Sequence, residues 1–209
     1  MVGGSQKMNL RHLTAYLLIF CCANASAQAP NKQLQYLSIA LTNSASSYPV
    51  VGAAELWKAR MHPGFTLGTG FNWKHSDKLA WAQTFKLGYF FHRYIQHAVM
   101  LYTESGIRKS YGKCGVSGML GAGYLHSIPA TGRFRQLPNG SYESFGKLGR
   151  AQAMLGFTLG LDYPISPSNR IFTRFQTLVQ TPFVPGYVPL LPVNQFHLGL
   201  TFRFNRQKP

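Results

Sequence analysis

Four of the seven histidines, His62, His92, His97 and His126, are the side chains of this sequence best suited to chemistry near neutral pH, where an imidazole serves as a base or as a metal ligand. Ser127 follows His126, and Glu143 or Glu55 could orient the ring, so the sharpest enzymatic reading is a lipid esterase with a His and Ser pair. That reading meets an obstacle at once. On an extended strand, adjacent residues point to opposite faces, and His126 reaches Ser127 only where the strand end is irregular. The four histidines could instead share a metal ion, yet no zinc-type Cys or His spacing, phosphate loop or dinucleotide fingerprint accompanies them. The plainer expectation is that they pack on aromatic rings and hydrogen-bond locally, in a protein that is not an enzyme and needs no cofactor.

A second set of ionisable residues shares one property: Lys86, Glu104, Arg108, Asp162, Arg170, Arg174 and Arg203 all fall on the polar face of an alternating stretch. The clearest such stretch closes the chain. In Gln195 to Phe204, residues Phe196, Leu198, Leu200, Phe202 and Phe204 lie on one face and His197, Gly199, Thr201 and Arg203 on the other. Seven earlier stretches repeat the pattern: Gln35 to Thr42, Gly64 to Lys74, Leu79 to His92, His97 to Arg108, Cys114 to Ser127, Arg150 to Tyr163 and Arg170 to Gln180. Strands this apolar on one face invite aggregation unless lipid covers them, and each is about as long as the 9–11 residues a tilted membrane strand needs. The expected fold is therefore all-β, an eight-stranded antiparallel up-and-down transmembrane β-barrel. Within it, Glu104 falls almost opposite Lys86 and Asp162 almost opposite Arg170, so the charges are expected to pair and plug a lumen only wide enough for side chains.

Export is expected as well. Lys7 and Arg11, an apolar run from Leu13 to Ala23, and Ala25-Ser26-Ala27 form the three-part layout of a signal peptide. This divides the chain into a leader, residues 1–27, and a barrel domain, residues 28–209. Two of the three cysteines leave with the leader, so Cys114 has no intramolecular partner and a disulfide scaffold is excluded. The formal charge of +16 loses only Lys7 and Arg11. Such an excess often signals nucleic acid, but on an exported chain an anionic membrane surface is the better partner.

Connections set the expected orientation. Those after the second, fourth and sixth stretches are short, and most of the others are long, so the short turns and both termini are placed in the periplasm. Trp73, Trp81, Tyr163 and Phe204 then form a periplasmic aromatic girdle, and Phe65, Phe91 and Tyr124 an outer one. Pro138-Asn139-Gly140 marks a hairpin turn beyond the membrane. The final loop, Pro182 to Pro192, is expected to pack its apolar side chains over the mouth. Lys58, Arg60, Arg93, Arg133, Arg135, Lys147 and Arg150 gather on the outer side, where they could contact lipopolysaccharide phosphates; the bland alternative is a solvated basic rim.

On these residues the mature chain resembles the small eight-stranded outer-membrane barrels of the OmpA and OmpX type. Runs such as HPGFTLGTGFNW (His62 to Trp73), LGAGYLHSIPAT (Leu120 to Thr131) and YVPLLPVNQFHLG (Tyr187 to Gly199) resemble Bacteroidetes-type barrel proteins. The ending is similar to the aromatic C-terminal signal of such barrels, which implies recognition by the barrel-assembly machinery through Phe196, Phe202 and Phe204. The resemblance implies a Gram-negative outer membrane and carries no catalytic residue across.

Overall fold

The computed structural model describes residues 36–58, 60–75, 79–131, 134–144, 149–184 and 187–203. The expected leader, Arg133, Lys147 and Phe204 lie outside the described residues, as do the side chains of Arg135 and Glu143. Eight long strands are present: β1 (Tyr36–Ala45), β2 (Pro63–His75), β3 (Leu79–His92), β4 (Gln96–Tyr111), β5 (Cys114–Pro129), β8 (Arg150–Pro164), β9 (Asn169–Thr181) and β10 (Leu191–Arg203). Two short strands, β6 (Phe134–Gln136) and β7 (Tyr142–Ser144), stand between β5 and β8. The long strands close into a barrel in the order β1-β10-β9-β8-β5-β4-β3-β2, every neighbouring pair antiparallel. Successive long strands pair along the chain from β1 to β10, and β1 also meets β10 from Tyr36↔Arg203 to Ala45↔Asn194, which removes both sheet edges.

The alternation read in the sequence decides which way each side chain faces. Outward, Leu41, Leu87, Leu101, Leu120, Leu155, Leu161 and Leu198 are all exposed, Leu120 by 69%. An apolar belt running round the whole wall is far more than a water-soluble protein exposes, and it matches the lipid face of a membrane barrel. Exposed Trp73, Trp81 and Tyr163 lie toward the end that carries the short turns, and exposed Phe65 and Tyr124 toward the other. These are called here the turn end and the loop end.

Two connections differ from the sequence reading. The long β1–β2 connection holds a 3-10 turn (Val51–Ala54) and the helix α1 (Glu55–Lys58), whose Trp57 ring sits edge-on to Phe196 at 5.0 Å. Asn43 ties it down, donating through Nδ2 to the Leu56 carbonyl at 2.7 Å. Between β5 and β8, β6 and β7 form their own two-stranded ladder, with Gly140 in the left-handed region at φ 80°. Asn139-Gly140 does mark this hairpin, but the ladder is separate from β5 and β8.

Leu120 lies near the middle of β5 and faces outward, so Leu120→Arg tests the wall. We expect the barrel folded into phospholipid vesicles to lose about 2–4 kcal/mol in a urea titration, the cost of a midplane arginine on a lipid face. An unchanged unfolding midpoint would contradict a lipid-facing belt.

Candidate functional site

Inward-pointing residues stack in layers from the loop end to the turn end. At the loop end a polar ring of Ser44, His62, His92, Gln96, Ser127, Gln152, Gln180 and Gln195 is almost entirely buried. Gln96 donates to Gln180 Oε1 at 3.0 Å and accepts from Ser127 Oγ, and Gln195 donates to Ser44 Oγ at 3.0 Å. Below it Phe90, Ala98, Met100, Leu125, Met154, Leu178 and Val193 form an apolar cluster. The sequence predicts a lumen plugged by paired charges and does not predict this apolar layer. Burying each large apolar side chain contributes about 1.5–3 kcal/mol, and together they close the loop-end half of the bore.

The third layer carries the central ion pair. Lys86 Nζ stands 2.5 Å from Glu104 Oε2, and both side chains are buried. Glu104 Oε1 accepts from Thr158 Oγ1 at 2.8 Å and from Gln176 Nε2 at 3.1 Å, and Gln176 Oε1 faces His197 Nε2 at 3.2 Å. Three donors therefore hold one carboxylate, the condition under which a buried charge is tolerable. Lys86 pairs in register with Tyr102 and Glu104 with Thr84, so the two meet on the diagonal.

Toward the turn end Asp162 is clamped by two arginines. Arg108 donates through Nε to Oδ1 at 2.8 Å and through Nη2 to Oδ2 at 2.7 Å, and Arg170 Nη1 also reaches Oδ2. The sequence reading paired Asp162 with Arg170 alone. Arg108 reaches it by crossing β5 at Gly115, where an added Cβ would stand 2.2 Å from Arg108 Nη2 and 2.4 Å from Asp162 Oδ1. The same device recurs, since Gly68 is in register with Lys86, Gly121 with Glu104 and Gly160 with Arg174. A glycine on the neighbouring strand leaves each long side chain room to lie flat.

The histidines do not converge. His62 and His92 lie inside the mouth with their rings stacked at 3.8 Å and 8°, and His62 Nδ1 donates to the Ser44 carbonyl at 3.0 Å. His97 and His126 lie on the outer wall, where each meets a tyrosine hydroxyl through Nδ1, Tyr89 at 2.9 Å and Tyr124 at 2.8 Å. Ser127 points inward to Gln96 while His126 points outward, so the adjacent pair is divided by the wall. Among the described residues no group of three or more His, Cys, Asp or Glu could hold a metal ion.

Of the basic rim candidates, Lys58, Arg60 and Arg93 are exposed at the loop end. Arg135 sits on β6 in register with Glu143 on β7. Arg150 is half-buried, its guanidinium 5.9 Å from the Phe183 ring. The final loop departs from expectation: Tyr187 and Leu190 are exposed, and among its described residues only Leu191 packs on the apolar cluster. Val184 and Val188 form a two-way backbone bridge that turns this loop back on itself.

The closed eight-stranded wall, apolar outside and filled inside, defines the class of small outer-membrane-type barrels. Among solved structures it is similar to Neisserial surface protein A, with 10% identity over 81% of this chain and 96% of that one at a TM-score of 0.48. It is also similar to the attachment invasion locus protein Ail of Yersinia pestis, with 14% identity over 82% and 97% at 0.42, and to the outer membrane enzyme PagL, with 10% over 81% and 99% at 0.46. No family model and no curated protein matches the sequence.

Removing one member of the central pair leaves the other charged and buried. Glu104→Ala is expected to destabilise the barrel by about 3–5 kcal/mol, with Lys86→Met/Glu104→Gln recovering most of that loss. Urea midpoints of the unaltered protein and the two variants in detergent micelles measure it, and a double variant as unstable as Glu104→Ala would mean that packing, not the pair, sets the cost.

Proposed function

We propose that the chain is an integral protein of a Gram-negative outer membrane, with turns and termini in the periplasm, that serves as a structural and surface-interaction scaffold through its loop end. The observation that carries this reading is the combination of a continuous apolar belt outside with a lumen filled by the polar ring, the apolar cluster and the Lys86–Glu104 layer. A wall of this kind belongs in lipid, and a bore so filled passes no solute. The loop end presents Lys58, Arg60 and Arg93 to solvent, and guanidinium and ammonium groups there suit the phosphates of lipopolysaccharide. Arg133, Arg135, Lys147 and Arg150 would add to that basic face. Trp57 and Tyr187 are exposed at the same end and would give a protein or glycan partner its apolar contacts. Phe196, Phe202 and Phe204 remain the residues proposed to be read by the assembly machinery.

A lipid esterase has no comparable support, because Ser127 is buried against Gln96 and His126 is turned to the outer wall. The fold itself does not decide the matter, since similar barrels bear the names of an attachment protein and of an enzyme.

Orientation is tested with the cysteine of the β4–β5 turn. Cys114 is exposed at the turn end. A membrane-impermeant maleimide should leave it unlabelled on intact cells and label it after permeabilisation. In a Cys114→Ser background, Lys58→Cys should label on intact cells. The reverse pattern would contradict the proposed orientation.

A further inference from the structure

Among the described residues, the turn end of the lumen holds more positive charge than its side chains neutralise. A cavity of about 490 Å3 lies there, lined by Arg108, Arg170, Arg174 and Arg203, with Asp162 as the only carboxylate among the described residues that line it. Pro167 and Ser168 of the β8–β9 turn also line it, which places it at the end opposite the polar ring and the apolar cluster. Both oxygens of Asp162 are already taken, by Arg108 and Arg170. Arg174 and Arg203 make no ion pair among the described residues. Arg174 lies against the Phe172 ring, 4.1 Å from its centroid, over the space that Gly160 leaves beside its stem. It is attracted toward Glu104, but that carboxylate is already held by Lys86, Thr158 and Gln176. Arg203 is repelled by both Arg170 and Arg108, and the carboxylate that attracts it, Asp162, is already held by those two arginines.

Charges of one sign gathered in a cleft with protein walls focus their field on the space between them, where screening by solvent is weakest. Planar guanidinium groups with unused N–H donors match the paired oxygens of phosphate or carboxylate. The volume also lies in the range of small-molecule sites, about 300–1,000 Å3. We propose that this cavity binds a small multivalent oxyanion, a phosphate ester or a polycarboxylate, with Arg174 and Arg203 as its direct ligands. Arg108, Asp162 and Arg170 form the frame that holds the site open, and the Tyr36 hydroxyl, beside Gly70 on the cavity lining, adds a neutral donor. A single negative charge would leave one of the two free guanidinium groups unmatched, which is why the ligand is multivalent. The site does not overlap the loop-end surface and does not depend on which compartment the turn end faces.

The test is calorimetric titration of the mature barrel, folded in a nonionic detergent at low ionic strength, with pyrophosphate and with citrate. Saturable binding of one equivalent is expected for at least one of them, at least tenfold tighter than acetate. Arg174→Gln/Arg203→Gln should weaken it at least tenfold, and Lys109→Gln, an exposed cation on the outer wall near the same end, should leave it unchanged. No saturable binding, or equal binding by the double variant, overturns the proposal. Should the double variant not fold, Arg203→Gln alone replaces it, because Arg203 is exposed at the end of β10. A further measurement needs no variant: the better ligand should raise the urea midpoint of the unaltered protein more than sodium chloride of equal ionic strength, and no excess overturns the site. Repeating the titration in phosphatidylglycerol vesicles separates the sources of the anion. Binding lost to competition assigns the site to lipid headgroup phosphates entering from the turn end, and binding retained assigns it to a free solute.

Discussion

Everything in this barrel depends on the ladder between β1 and β10. A strand in hydrocarbon has no water to satisfy its edge amides and carbonyls, and each group left unpaired costs about several kcal/mol. Ten consecutive register pairs, Tyr36↔Arg203 through Ala45↔Asn194, remove that edge. Once the sheet is closed, the two-residue period of a strand has a single consequence for every residue: even a one-place slip would turn Leu198 and Leu200 into the lumen and His197 out into lipid. The closure thus explains why the same alternation must hold on all eight strands.

The inside is organised by a different constraint. The bore of an eight-stranded barrel is just wide enough for side chains, so length on one strand must be matched by its absence on the next. Gly68, Gly115, Gly121 and Gly160 meet this need opposite Lys86, Asp162, Glu104 and Arg174. The charges are then graded along the axis. Glu104 is fully satisfied at the centre, Asp162 carries two arginines nearer the turn end, and Arg174 and Arg203 make no ion pair among the described residues. The interior therefore passes from sealed and paired to open and cationic over the length of a strand.

Much of this was legible in the sequence because two solvents act on every strand. Lipid selects Leu, Phe and Trp at one parity, and the filled bore selects Gly, Thr and charged residues at the other, so the eight strands, their outward faces and the Lys86–Glu104 contact follow from counting, while the ends do not: β10 begins four residues before the predicted Gln195 and β1 runs three past Thr42. The apolar layer did not follow, because Phe90 stands between outward Tyr89 and Phe91 and breaks no pattern that counting detects. Arg108 and Asp162 were hidden for another reason. They lie on strands separated by β5, and only the missing side chain of Gly115 lets them meet. Helix α1 is four residues long, too short for a helical period to register, and its place is decided by Trp57 on Phe196. The histidine set dissolved once parity was applied at each strand end, which puts His62 and His92 inside and His97 and His126 outside.

The central claim is that this closed wall stands in an outer membrane. The direct measurement is fractionation of the producing cell, followed by gel electrophoresis of the outer-membrane protein with and without boiling. Recovery in the outer-membrane fraction is expected, with an unboiled band that migrates differently from the boiled one, because a barrel sealed by β1 and β10 resists detergent until heated. Recovery in the soluble periplasmic fraction, with one mobility in both lanes, would contradict it.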